Sequence, residues 1–489
     1  MAESNSRPPR PIRATAAAVR RGEVSARVLV EEAGSRHAAS DLGAFVLFDA
    51  AGAMDQAAAV DRAVERGEDP GPLAGLTVSV KDVYGVEGLP IQAGTRRRLS
   101  ERWQAEGFLV GAMRSLGAVL VGKTHTVELA FGGVGINHNT GTPVNPWDAS
   151  DHRVPGGSSA GAGVSLLEGS AAVALGSDTG GSVRIPASAT GTVGMRHTTG
   201  RWPTTGVFPL STTLDTVGFL ARTASDMRYV FQAVDALPEV GMGLGGARPG
   251  AKPDPAAAPS VRGLRIGVPK CADGEPAEGL WERSELDVAA VVWEALSELE
   301  TVGAELISFE APELVEAGVQ YLSGSVVQPE LGEALDRYLP GWADFLDPTV
   351  RNRLRSVRDV PAVEYLGLLR NRHRLSRALH ARMDQAGLDC LATPTLPITV
   401  PRVADLEDLA EYGSANRLML SNTCPASMLD MCAVSLPAGL DPSLMPVGLQ
   451  LIARTGADCW LVDVAVAVES VLGTGLQRLG TPPRLPPGA

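Results

Sequence analysis

Ser182 sits in "LGSDTGGSVRIPAS", Leu175 to Ser188, where a short apolar run ends in an acid, two glycines and a serine. A serine in such a turn is either a nucleophile or an ordinary turn residue. A nucleophilic serine needs a base within reach, most often histidine. No histidine lies beside Ser182. The chain does, however, use lysine sparingly: Lys81, Lys123, Lys252 and Lys270 stand against 39 arginines. Arginine holds its proton in a protein, whereas a buried lysine can lose it. A lysine kept in a chemical setting is therefore a candidate base. Lys81, in "VSVKDVYGV", ends an apolar run. A second glycine turn, "VPGGSSAGAGVS", carries Ser158 and Ser159.

The elements that must position these groups alternate. Strands are expected at Leu76–Val80, Ala118–Val121 and Ala172–Asp178, and a helix at Ser225–Leu237. "LRIGVP" and "AELISFE" flank a helical stretch, as in a βαβ unit. A helix-rich region spans about 312–385. Strand-like "DCLATP", "AVSLP" and "VGLQLIA" follow, then a helix near Ala457–Leu472. This order predicts an α/β fold with a mixed sheet. The chain reads as a single domain over 1–489, with a catalytic core at 75–235 and a flexible Gly/Pro/Ala connector at 241–260. The C-terminal strands are expected to join the N-terminal sheet.

Composition narrows the function. A net charge of −13 argues against nucleic-acid binding. Five scattered cysteines without CxxC argue against a disulfide framework or a zinc site. No run of 18 apolar residues is found, so no membrane partner is expected. Met1–Arg13 lacks the apolar segment of a secretion signal, which points to the cytoplasm.

Several motifs match by pattern and fail by context. "GAVLVGKT", Gly117–Thr124, fits a phosphate loop, but Ala-Val-Leu-Val would form a strand where the loop must wrap. "GMGLGG", Gly241–Gly246, fits a dinucleotide fingerprint but lies in the connector. "GSSAG" would make Ser159 a hydrolase elbow, yet of the later histidines, His197, His373 and His380, the last two fall in an arginine-rich helix. His125 and Glu128, spaced H-x-x-E, lack a third ligand.

Lys81 and the two serine turns together resemble the amidase signature family, the Ser-Ser-Lys amidases. Ser158 and Ser182 are 24 residues apart, the spacing of that family's paired serines. The likeness extends to "PVNPWD", "GVFPLSTTLDTVGFLARTASD", "ATPTLP" and "PVGLQLIA", covering most of Thr15–Gly473. It implies a large, mixed, mostly central β-sheet covered by helices on both faces. It implies Ser182 as nucleophile, Lys81 as base and Ser158 as proton relay, because desolvation can lower a lysine pKa and a hydroxyl can both accept and donate. It further implies a cis Gly157–Ser158 bond and an oxyanion hole from Thr179, Gly180 and Gly181. Ser159, Asp178 and Arg184 would be structural support. No metal and no organic cofactor is implied. The expected activity is hydrolysis of a small-molecule amide or carbamate, and some members cleave esters. A monomer or homodimer is expected. The alternatives are a glutaminase subunit of a tRNA-dependent amidotransferase, or a catalytically dead binding protein. The chain departs from the family pattern at "GMRHT" (Gly194–Thr198), Thr190, His125 and "GSSAG". Pocket walls are expected from Ala130–Gly141 and from the helical region after Pro312.

Overall fold

A computed structural model describes residues 11–238, 240, 260–270, 280–324, 326–356 and 359–485. The connector at 241–260, apart from Ser260, lies outside these residues, as do "GMGLGG", Lys252 and Cys271.

Eleven strands among the described residues form one sheet. They are β1 (Phe45–Phe48), β2 (Thr77–Lys81), β3 (Val119–Thr124), β4 (Val173–Asp178), β5 (Val193–Arg196), β6 (Thr216–Ala221), β7 (Arg265–Lys270), β8 (Glu305–Glu310), β9 (Cys390–Pro394), β10 (Cys432–Leu440) and β11 (Pro446–Ala453). The spatial order is β1-β3-β2-β4-β6-β5-β10-β11-β9-β7-β8. Strand β2 pairs in parallel with β3 and β4, and β7 with β8 and β9. The remaining pairings are antiparallel. The sheet is therefore mixed, and strands β9, β10 and β11 do join the N-terminal strands.

Both faces of the sheet are covered at its centre: β2, β3, β4 and β11 are buried at every position. Helices flank the sheet. The helix Leu286–Thr301 packs on β10 and β11, and the helix Asp458–Leu472 packs on β10. The stretch Asp458–Leu479, with mean hydropathy 1.6, is long and apolar enough to cross a membrane by composition. Its Leu461, Ala465 and Val468 are fully buried in the apolar core, so here it serves as a core helix. The region 312–385 is helical, with helices at Pro312–Leu322, Val327–Tyr338, Pro348–Ser356 and Ala362–Gln385.

Two helices start directly after the serine turns. Ala160–Leu167 is built from small residues, "AGAGVSLL", and lies against β2, β3 and β4. Arg184–Thr190 is buried throughout and packs on β5, β10 and β11. The "GAVLVGKT" segment is strand β3, as its β-branched residues require, and not a phosphate loop.

Candidate active site

Strand β2 delivers Lys81 to the sheet interior. Alternation sends Val78 and Val80 into apolar packing and leaves Lys81 on the face of Ser79, whose hydroxyl meets Ser165 at 2.9 Å. Lys81 Nζ lies 2.7 Å from Ser158 Oγ and 2.9 Å from Ser177 Oγ. Among the described residues no carboxylate lies within 4 Å of it. Complete burial pushes its pKa down to about 7, against the opposing charges of Asp215 and Asp178.

Ser158 follows a cis Gly157–Ser158 peptide bond. Its carbonyl accepts from the N–H of Val127 at 3.1 Å and of Ala160 at 2.9 Å. The Gly157 N–H donates to Gly133 O at 2.7 Å, tying this turn to the segment Phe131–Gly133. Ser159 Oγ donates to the carbonyl of Ser182 at 2.6 Å and so braces one serine turn against the other. That contact is not the geometry of a nucleophile elbow.

Ser182 is 4% exposed, and its side chain makes no hydrogen bond among the described residues. The structure thus joins Lys81 to Ser158 directly, while Ser158 and Ser182 are not hydrogen-bonded to each other. Asp178, at the end of β4, shapes the turn that carries Ser182. Its carboxylate accepts from the Gly181 N–H at 2.8 Å and from Arg184 Nε and Nη2, each at 3.0 Å. Arg196 Nη1 adds a contact at 3.3 Å. Burial would raise the Asp178 pKa, but the two guanidinium groups hold it well below the usual carboxylate range. Arg184 spends its remaining donors on Thr423 O, Gln450 Oε1 and Ser427 Oγ.

The Gly181 amide, expected in the oxyanion hole, is therefore committed to Asp178. The amides of Thr179, Gly180 and Ser182 make no hydrogen bond among the described residues. Thr179 Oγ1 donates to Asp215 Oδ1 at 2.5 Å. Burial pushes the Asp215 carboxyl up to about 6. Both glycines are required by their neighbours. A Cβ at Gly180 would fall 2.0 Å from Tyr321 Oη, and one at Gly181, where φ is 138°, 2.1 Å from Thr423 Oγ1. Thr423 Oγ1 also donates to the carbonyl of Gly180 at 2.6 Å.

Five groups around the site were not singled out by the sequence, although Ser177, Arg196 and Asp215 lie in quoted segments: Ser177, Arg196, Asp215, Tyr321 and Thr423. Ser177 is the nearest to legible, since it lies on the strand that leads to Ser182. His125 and Glu128 do not converge. His125 is buried, and desolvation pushes it down to about 4. Glu128 accepts from Asn139 Nδ2 and from the Asp347 N–H. His197 is buried among Trp202, Phe219 and Phe231. His373 is exposed. Among the described residues no group of three or more His, Cys, Asp or Glu side chains is placed to hold a metal ion.

A family model described as Amidase matches residues 29–462. The chain is 43% identical over 470 residues to 2-amino-5-chloromuconic acid deaminase of Comamonas testosteroni, covering 96% of this chain and 97% of that protein. It is 33% identical to a glutamyl-tRNA(Gln) amidotransferase component of Moorella thermoacetica, covering 85% and 87% of the two chains. A crystal structure of an amidase superposes with a TM-score of 0.80 at 28% identity, covering 95% of this chain and all of that one.

Proposed function

Since the chain belongs to the amidase family and is thereby a hydrolase of amide carbon–nitrogen bonds, we propose that Ser182 carries the reaction as an acyl-enzyme, with Lys81 as base and Ser158 as relay. The supporting observation is the 2.7 Å contact between Ser158 Oγ and a wholly buried lysine that has no carboxylate partner among the described residues. Near neutral pH about half of such an amine is free, because its pKa is about 7. The free amine accepts the Ser158 proton while Ser158 accepts that of Ser182. The second transfer requires the Ser182 side chain to turn towards Ser158 when substrate enters, a tightening common in catalytic hydrogen bonds.

Ser182 Oγ then bonds to the substrate carbonyl carbon. The oxyanion is met by the amides of Thr179 and Gly180, with the Ser182 amide as a third donor in place of Gly181. One such donor is worth about 2.7–4 kcal/mol of barrier. Collapse breaks the carbon–nitrogen bond, and the amine leaves with the proton returned through Ser158. Water repeats the sequence on the acyl-enzyme and releases the acid. Asp178 and Arg184 hold the turn, and Ser159 braces it.

Substrates are small-molecule amides, with carbamates and esters as further candidates, acted on in the cytoplasm by a monomer or homodimer. The decisive experiment is fluorophosphonate labelling of Ser182, with loss of turnover of an aryl amide and carbamate panel in Ser182→Ala. Undiminished turnover in that variant overturns the assignment. The reading as a glutaminase component draws on the 33% identity to the Moorella thermoacetica protein, and it has the weaker support of the two. It requires stable partner chains, and isolation of a lone or self-associated chain excludes it.

A further inference from the structure

We propose that Asp215 is a positioning residue for the hydrolysis: through the Thr179 hydroxyl it fixes the amides that receive the oxyanion, and its charge acts on Lys81 without touching it; this rests on Ser182 as the nucleophile. Strand β6 runs antiparallel to β4, with Thr216 opposite Asp178. The residue before β6 is thereby set beside the residue after β4, and there Asp215 meets Thr179. Thr179 Oγ1 donates to Asp215 Oδ1 at 2.5 Å, and Thr216 Oγ1 donates to Asp178 O at 2.9 Å. Asp215 Oδ2 accepts from the N–H groups of Leu210 and Ser211 at 2.9 and 3.0 Å. A single stiff torsion separates the Thr179 hydroxyl from its backbone, so a held hydroxyl restricts where the amide points.

The loop that feeds Asp215 is itself held. Glu330, on the helix Val327–Tyr338, accepts from the hydroxyls of Ser211, Thr213 and Tyr365, and from the Thr213 N–H at 3.1 Å. A line of braces thus runs from the helical region through Glu330, the 211–213 loop and Asp215 to Thr179, three residues before the nucleophile.

The two acids that hold the turn differ in charge balance. Asp178 meets Arg184 and Arg196. Among the described residues no basic side chain lies within 4 Å of the Asp215 or Glu330 carboxylate. Hydrogen bonding alone does not call for an acid at 215. An asparagine could turn its oxygen to Leu210 and Ser211 and donate its N–H to Thr179 Oγ1. What only the acid supplies is charge, and of the two carboxylates that oppose the desolvation of Lys81, Asp215 acts more strongly than Asp178. The remaining titratable groups facing the pair are Glu330, whose charge works against ionisation of Asp215, and the phenols of Tyr84 and Tyr321, which burial pushes up and so keeps neutral.

The test uses the full chain and an aryl amide that the wild type turns over. Thr179→Val keeps the side-chain shape and removes the hydroxyl. Its kcat should fall by about 10- to 100-fold with KM nearly held, because a displaced oxyanion donor weakens the transition state alone. Thr179→Ser, which restores the hydroxyl, should recover most of that loss. Ser182 should also label with fluorophosphonate more slowly in the valine variant than in the serine one. Asp215→Asn keeps the hydrogen bonds and removes the charge, so the midpoint of its kcat/KM profile should move to lower pH. A purely structural role would lower the unfolding midpoint and produce neither the split between kcat and KM nor the shift in pH. A wild-type kcat in Thr179→Val, or a loss that serine does not recover, overturns the proposal. A midpoint that stays or rises in Asp215→Asn overturns the role given to its charge. If Asp215→Asn does not fold, the two Thr179 variants decide for or against Asp215 as a positioning residue. Failure of the nucleophile assignment shows separately, as a wild-type Ser182 that resists the fluorophosphonate, and the proposal falls with it.

Discussion

Lys81 ends β2, Lys123 is the last but one residue of the neighbouring parallel β3, and both are completely buried. In the register Val80 stands opposite Lys123, and Lys81 opposite Thr124. Their partners differ. Lys123 Nζ meets Asp82 Oδ1 at 2.9 Å and Tyr84 O at 2.7 Å. Desolvation drives both members of that pair towards their neutral forms, while their mutual attraction opposes it. Lys81 has two hydroxyls instead of a carboxylate, and its pKa falls to about 7. Two equally buried lysines are therefore set apart by what their amines touch. Burial beside hydroxyls, with opposite charge kept out of contact, leaves the amine free near neutral pH and already touching a proton donor.

The comparison can be broken at each of its parts. Ser182→Ala is expected to lower amide hydrolysis by at least about 10⁴-fold, in line with the loss of nucleophiles elsewhere. Initial rates measure it, and intact-mass spectra should lose the acyl adduct. Lys81→Met should cost about 10²–10⁴-fold, the usual share of a general base. In the wild type, kcat/KM should rise with pH up to about 7 and then level, because only the unprotonated amine accepts a proton. A rate that is flat between pH 5 and 9 would remove Lys81 from the mechanism.

Lys123→Met should act on stability instead. It strands the buried Asp82 carboxylate, at a cost of about 3–5 kcal/mol measured by denaturant unfolding. The midpoint of the pH–rate profile should stay where it was; if it moves, the two lysines are not separable. Ser177→Ala should be the mildest change, about tenfold or less, since it removes one neutral acceptor. Because that acceptor favours the charged amine, the midpoint should shift to lower pH.

What could be read in advance follows from how local each signal is. Lys81, Ser158 and Ser182 stand in glycine turns or at a strand end, and the apolar runs beside them set their elements. Strands β2, β3 and β4 were legible for the same reason. Strand β1 is only four residues long, and β5 and β6 lie in stretches without clear alternation. Asp215 and Tyr321 could not be found from spacing, because packing alone brings them to the turn at 179–182. The glycine run likewise showed which amides were present near Ser182. It could not show that the Gly181 amide is already used by Asp178, which depends on how the chain turns after β4.

Arg184 has a consequence for how the enzyme comes into being. Its guanidinium reaches Thr423, Ser427 and Gln450, which lie 239, 243 and 266 residues further along the chain. Thr423 also grips the carbonyl of Gly180. While the chain is being synthesised, Ser182 is made long before the residues that brace its turn. A chain truncated before Thr423 would therefore carry Ser182 without the groups that brace its turn.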